Sequence, residues 1–453
     1  MVERVVVPFA GEGSGTDELS WGQLSVWQSI QASGQSRTLG GMAPLPPDAT
    51  LERIAGTVGR LVGRHQALRT TYRPRPGRLP LQVCHDRGEL TIEVLDADGR
   101  DPDEVAEQLR DRYQRTPFDY EHEWPLRVGV VRADGRPVRQ VVVYLHLALD
   151  AGGLTALVAD MRRAAAGTGD VPPATGHPPL EQARRQRGAA AQRQQAGALR
   201  YWDQVLRAVP AQPLGPPRPG QERDHLEIRF RSPATLLAAR LAAARTGTGT
   251  APVLLAAYAV ALARATDRNP VVSVVAVSNR FRPGLADSIS SVSHIAPLLV
   301  DVADSTLGAA VGRASRGALA AYKSGYLDPY LEEDLEVRLA AELGTRVELI
   351  CYFNDRRQAA EEPAEVPTAE QVRAALAEST VDWPEDPERP RTGLYLSVAD
   401  APGAVEFLLT VDLRYFTRTA LEELVRGIEA VTVAIALDPT AGTGVRARAA
   451  ATT

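Results

Sequence analysis

Strand-type and amphipathic helical runs alternate along most of this sequence. One Gly- and Pro-dense stretch, 166–180 (AGTGDVPPATGHPPL), divides the series into two parts. Alternation of this kind calls for mixed α/β layers, each sheet covered by the helices between its strands. A chain of 453 residues is long for a single core and predicts two domains. The expected division is 1–172 and 173–441, with 442–453, rich in Ala, Thr and Arg, as a disordered tail. No short-period repeat is visible, which excludes a solenoid.

Within the first part, Ser20 followed by Gln23 is a capping-box spacing, and Leu24, Trp27 and Ile30 recur behind it, predicting a helix over 18–30. Leu51, Ile54, Val58, Leu61 and Val62 form an apolar stripe behind the N-cap candidate Thr50. Strands are expected at 79–84 and 89–96, with a helix at 103–114 between them and the next pair. That pair, LRVGVVRA and RQVVVYLHLAL, is joined by Asp134-Gly135, a hairpin-turn dipeptide. A further helix should bury Leu154, Leu157, Val158 and Met161.

The second part predicts helices at 181–206, 233–245, 251–265, 303–323 and 329–343, and a last one from Thr419 burying Leu421, Leu424, Ile428 and Val431. Strands are expected at 226–230, 271–277, 346–353, 393–399 and 404–412.

Composition narrows the function. With 44% apolar and 24% charged residues the chain is an ordinary globular protein. A net charge of −5 and only 5% aromatics argue against nucleic acid or an anionic membrane as partner. The longest apolar run, 251–263, is too short to span a bilayer, and the N-terminus lacks the parts of a signal peptide. Cys84 and Cys351 lie far apart in sequence without metal-type partners, so neither a disulfide framework nor a zinc site is expected and a cytoplasmic address fits. TGTGTAP (246–252) lacks the Gly-Lys-Ser/Thr ending of a phosphate loop and reads as a helix-capping loop. No Gly-x-Ser-x-Gly elbow occurs.

Chemistry is expected at YLHLALDAGG, 144–153. A histidine four residues before an aspartate is close to chance in a chain with seven histidines and fifty-six acids, and a hydrogen-bonded core histidine is the plain alternative. Three neighbours favour a working site. The apolar run Val141–Val143 gives the imidazole of His146 a stiff support, Asp150 places a charge where the strand breaks, and Gly152 and Gly153 permit a tight turn beside the ring. Arg280, just past strand 271–277, is the candidate partner of a buried Asp150, fixing a loop rather than exchanging a proton.

The order of segments resembles the condensation domains of nonribosomal peptide synthetases and their free-standing acyltransferase relatives. SWGQLSVWQS (20–29) is similar to that family's opening helix, and RHQALRTTY (64–72) to its second motif. TPFDYEHEWPLRVGVVR (116–132) resembles the segment before its active-site hairpin, and YLHLALDAGG its His-His-x-x-x-Asp-Gly motif. YWDQVL (201–206), VLLAAYAVALARAT (253–266), VSNRFRPGLADSISSVSHIAPLLVDV (277–302) and CYFND (351–355) follow in family order.

The resemblance implies two lobes like chloramphenicol acetyltransferase, arranged as a V around a tunnel. A carrier protein would deliver an acyl thioester on phosphopantetheine, and an amine or alcohol would attack it. By position His146 is the catalytic histidine, and Asp150 and Arg280 are the structural pair. Asn354 and His294 fall among substrate-binding positions, with Gly152 and Gly153 as candidate oxyanion donors. No bound cofactor and no metal are implied. The family's first histidine is Leu145 here, and its glycine after the aspartate is Ala151, whose methyl is expected to narrow acceptor access. No carrier serine motif or adenylation signature occurs, so the donor is expected on a separate carrier protein or as acyl-CoA, and the acceptor as a small molecule or on a carrier of its own. A relative that only recruits a carrier or tailoring enzyme is the alternative.

Overall fold

Asp134 and Gly135 both take positive φ, 50° and 75°. That is the geometry of a two-residue turn whose twist matches the strands it joins, and it folds Leu126–Ala133 back along Arg136–Leu145. Around this hairpin the computed structural model, which describes residues 2–166, 175–210, 212–357, 365–384 and 392–447, builds the first of two units. That unit comprises Met1–Ala196, Ser278–His294 and Tyr326–Pro329; the second holds Gly197–Val277, Ile295–Gly325 and Tyr330–Thr453.

In chain order the first stretch contains β1 (Val2–Ala10), β2 (Gly15–Glu18), α1 (Trp21–Ser33), β3 (Thr38–Pro44), α2 (Leu51–Arg64), β4 (Thr70–Arg73), β5 (Leu81–Cys84), β6 (Arg87–Asp96), α3 (Pro102–Arg115), β7 (Leu126–Ala133), β8 (Arg136–Leu145), α4 (Ala151–Ala166) and α5 (Pro179–Gln186). Helix α6 (Ala189–Arg207) leads into the second unit. A five-stranded sheet runs β1-β6-β7-β8-β3, and β2-β5-β4 form a smaller one. Only β6 and β7 run parallel in the larger sheet.

The period of two along β8 decides which helix each residue meets. Val141 and Val143 pack with Val105, Ala106 and Leu109 of α3. Tyr144 packs on the opposite side with Ile54, Val58 and Val62 of α2 and Leu157 of α4. The first three helices start where the sequence supplies a cap. Ser20 and Gln23 form the full capping box of α1, Thr50 caps α2, and Asp101 caps α3 ahead of Pro102.

The remaining elements are β9 (His225–Ser232), α7 (Pro233–Thr246), α8 (Thr250–Thr266), β10 (Val271–Val277), β11 (His294–Val300), α9 (Leu307–Ser324), α10 (Pro329–Leu343), β12 (Cys351–Asp355), α11 (Ala369–Ala375), β13 (Thr380–Asp382), β14 (Leu394–Ala401), β15 (Ala404–Asp412) and α12 (Arg418–Leu437). Their sheet has the order β11-β10-β12-β14-β15-β9-β13. Helix α8 is buried on every side from Val253 to Ala263, and α12 buries Leu421, Leu424, Ile428 and Val431 as its periodicity predicts. Among the described residues no single helix is long and apolar enough to cross a membrane. Both cysteines are buried and free, one in each unit.

Several expectations are corrected. The division does not fall at 172/173: residues 175–196 belong to the first unit, which two later segments complete. The tail is ordered as far as residue 447, with Gly442 bridging Thr306 and Asp304 donating its amide to Val445; residues 448–453 lie outside the described ones. The helix expected over 181–206 breaks between Gln186 and Ala189, at Gly188. The strand expected from 346 begins at Cys351. Val158 is exposed on α4, and the buried residue beside it is Asp160. TGTGTAP is a helix-to-helix link, Gly247 closing α7 in the left-handed region and Gly249 preceding α8.

Candidate active site

Strand β8 ends one residue before the histidine. His146, Leu147 and Ala148 form a turn, pinned on both sides: Leu145 donates its amide to the Pro125 carbonyl and His146 donates to that of Arg37, each at 2.8 Å. Leu145 is fully buried, and so are the three residues after His146. His146 itself is half-buried, and no described group hydrogen-bonds its Nδ1. Burial lowers its pKa from the ordinary histidine value. The Arg37 charge acts in the same direction, and the negative charge of Asp150 opposes it. The ring is therefore a neutral imidazole at pH 7, held on a stiff turn, which is the state a general base needs.

Asp150 sits just before α4, and its carboxylate accepts five hydrogen bonds. Oδ1 takes the Gly153 amide at 2.7 Å and Arg280 Nη2 at 2.5 Å. Oδ2 takes the amides of Val292 and Ser293 at 3.0 and 2.8 Å and the Ser293 hydroxyl at 2.6 Å. Burial alone would push this carboxyl up. The Arg280 charge and these donors outweigh it and hold the group below the usual carboxylate range. The sequence-predicted pair is thus formed. It ties segment Ser278–His294 to the start of α4, with Arg280 Nη1 also donating to the Ser288 carbonyl at 2.7 Å. A carboxylate so fully engaged has no lone pair left for proton transfer, so its part is to fix the turn and bias the imidazole electrostatically.

The two glycines do a different job from the one expected. A Cβ at Gly152 would lie 2.1 Å from Arg280 Nε, and one at Gly153 would lie 2.8 Å from the Ser290 carbonyl oxygen. The space beside them is filled by protein, and glycine is required for the close approach of Arg280 and its loop. Gly153 also spends its N–H on Asp150, which removes it as an oxyanion donor. Ala151, the first residue of α4, is exposed.

His294 belongs to the same unit as His146, while Asn354 belongs to the other. The His294 ring is buried edge-on to Tyr326, centroids 5.8 Å apart, with no described partner for Nε2. Burial, helped by the Arg282 charge, pushes its pKa down to about 4. Tyr326 receives a hydrogen bond from Gln186 Nε2 at 2.8 Å, and Gln186 Oε1 accepts the Trp21 amide, so α1, α5 and His294 are linked through one tyrosine. On β12, Asn354 donates to the Tyr395 hydroxyl at 2.9 Å.

Sequence reasoning missed Ser293, Arg37 and Tyr326. Each acts through a fold-dependent contact, and no local pattern marks it. It also missed that Arg64 and His65 of the RHQALRTTY segment close on Asp160, at 2.8 and 3.0 Å. Among the described residues no group of three or more His, Cys, Asp or Glu is placed to hold a metal.

A family model described as "Condensation domain" matches residues 23–364. The AMB antimetabolite synthetase AmbE of Pseudomonas aeruginosa is 30% identical over 235 residues, 49% of this chain and 11% of the synthetase. The chain therefore spans about a tenth of that curated relative. Two solved structures share the fold. One, of SgcC5 from Streptomyces globisporus, has a TM-score of 0.67 at 19% identity, covering 94% of this chain and 100% of that one. The other concerns condensation domain-mediated chain release from the enacyloxin polyketide synthase and has a TM-score of 0.69 at 21% identity, covering 96% and 85%. With most of its length matched by the family model, this chain belongs to the condensation-domain family.

Proposed function

We propose that this member of an acyltransferase family joins a carrier-borne acyl group to an amine or alcohol, forming an amide or ester, with His146 as the base. The nucleophile's N–H or O–H proton passes to the imidazole as the new bond to the acyl carbon forms. The carbon–sulfur bond then breaks, and the phosphopantetheine thiolate leaves and recovers the proton. A thioester is already activated, so positioning and one proton are most of what the protein must supply. The observation that carries this reading is the half-buried imidazole of His146, kept neutral by burial and pinned through its backbone, beside a carboxylate too fully bonded to compete for the proton.

Residues 1–453 contain no carrier serine motif, so the donor arrives on another domain or protein. Asn354 and His294 are proposed to contact substrate. Of the two glycines, only the Gly152 amide is retained as a candidate oxyanion donor, because Gly153 is spent.

The test is intact-mass analysis of loaded carrier proteins incubated with the chain and candidate nucleophiles. His146→Ala should slow acyl release by about 10²–10⁴-fold. Undiminished product from that variant would defeat the catalytic reading and leave carrier or enzyme recruitment, the role that Leu145 and Ala151 favour.

A further inference from the structure

The second unit contains a cleft of about 450 Å³ whose lining includes none of the residues assigned to the proposed reaction. It opens between the end of α8 and the middle of α12, and the Leu214–Pro216 loop and Tyr415–Phe416 form further walls. Its floor is apolar and belongs to the core: Ala261, Phe416, Leu424 and Val431 are all buried. Gly427 creates the room. A Cβ there would stand 3.6 Å from that of Ala261, in ordinary contact, so a larger side chain would enter the cleft.

Two arginines, Arg264 and Arg268, line the cleft beside this floor. Arg264 donates Nε to the Thr443 carbonyl at 2.8 Å. Arg268 is different. It is half-buried, its Nε is shut away from solvent, and no described residue accepts from it or pairs with its charge. A buried donor left without an acceptor is costly, more so on a charged group, so such a group normally has a partner. Gly215, at φ 84°, places only backbone opposite the guanidinium, 3.6 Å from its Nη2 at the Cβ position, and no protein acceptor replaces what is missing. The nearby chain thus leaves the charged head of Arg268 at the wall of a cleft with an apolar base, without a described acceptor. One acidic residue, Glu423, also lines the cleft, so its formal charge is +1 rather than +2.

We propose that this cleft binds a small monoanion with an apolar body, a carboxylate whose oxygens accept from Arg268 while its hydrocarbon or aromatic part lies on Phe416, Leu424 and Val431. Guanidinium matches a carboxylate bidentately. The size lies within the range of ligand clefts, which combine apolar walls with few polar groups. The Glu423 carboxylate disfavours a doubly charged phosphate monoester. His146 does not line this cleft.

The experiment is calorimetric titration of the whole chain with phenylbutyrate, its neutral isostere phenylbutyramide, and phenylpropyl phosphate. The acid should bind at least tenfold more tightly than the amide, about 1.4 kcal/mol, and more tightly than the phosphate. Arg268→Gln should remove that preference without lowering the melting temperature, since its side chain holds nothing in the fold. Gly427→Leu should abolish binding by filling the cleft. Equal affinity for acid and amide, or an Arg268→Gln variant that still prefers the acid, would overturn the proposal. A phosphate bound more tightly than the acid would overturn the assignment to a monoanion. Assays of acyl release from loaded carrier proteins on the same variants should stay at the parent rate, and this separates failure here from failure of the His146 reading.

Discussion

The five bonds on Asp150 set the terms for residues around it. Removing Arg280 leaves a buried carboxylate without its counter-charge. Arg280→Ala is therefore expected to cost about 3–5 kcal/mol in chemical denaturation, the range found when one partner of a buried pair is deleted. Gly152→Ala should be destabilising too, because its methyl would meet Arg280 Nε at 2.1 Å, and it should lower acyl transfer with it. A Gly152→Ala protein with parent stability would show that the arginine is not held where it stands. The residue scale also shows what was readable in advance. Asp150 and Arg280 were legible as a pair because a charge at a strand end must find a partner. Ser293, which contributes two of the five bonds, was not: a serine in a polar loop carries no sign of what the loop will touch. The glycines were correctly marked as special, but the cause is the loop packed against them rather than an open space.

Among the elements, α4 is held at both ends. Its start is capped by Asp150, and near its end Asp160 binds Arg64 and His65 at the end of α2. Asp160→Ala should lower stability by about 1.5–3 kcal/mol, the worth of hydrogen bonds to a charged group. It should also loosen α2 from α4, read as faster amide exchange in both helices; unchanged exchange would mean that apolar packing alone joins them. Elements with strong local signals were found from the sequence, such as α1 through its capping box and the β7–β8 hairpin through Asp134-Gly135. Strand β3 (TLGGMAP) was missed, since two glycines and a proline argue against a strand. Yet a Cβ at Gly40 would lie 2.1 Å from the Val142 carbonyl oxygen, so the glycine that hides the strand is what lets it approach β8. Pairing across the sheet overrides propensity there.

At the scale of the molecule, two buried histidines give stability a pH dependence. Burial holds His65 and His294 near a pKa of about 4, against about 6.5 in an unfolded chain. Below the unfolded value the open chain binds protons that the folded one refuses. Their contribution is thus complete above about pH 6.5 and is lost as the medium is acidified toward 4. The melting temperature should fall over that interval, and less steeply in His294→Phe; a flat profile would contradict the burial of these rings. The two-unit organisation was legible from the alternation and the Gly/Pro stretch, but its bounds were not, because chain order carries no mark of Ser278–His294 and Tyr326–Pro329 returning to the first unit. That return has a consequence during synthesis. When a ribosome has released only the first 196 residues, Asp150 has its helix cap but lacks Arg280, Val292 and Ser293, four of its five bonds. The nascent lobe waits with an unanswered negative charge at its heart until about a hundred more residues have emerged, so the turn at His146 is among the last parts of the lobe to set, and a chain cut short before then carries the histidine without the clasp that holds it.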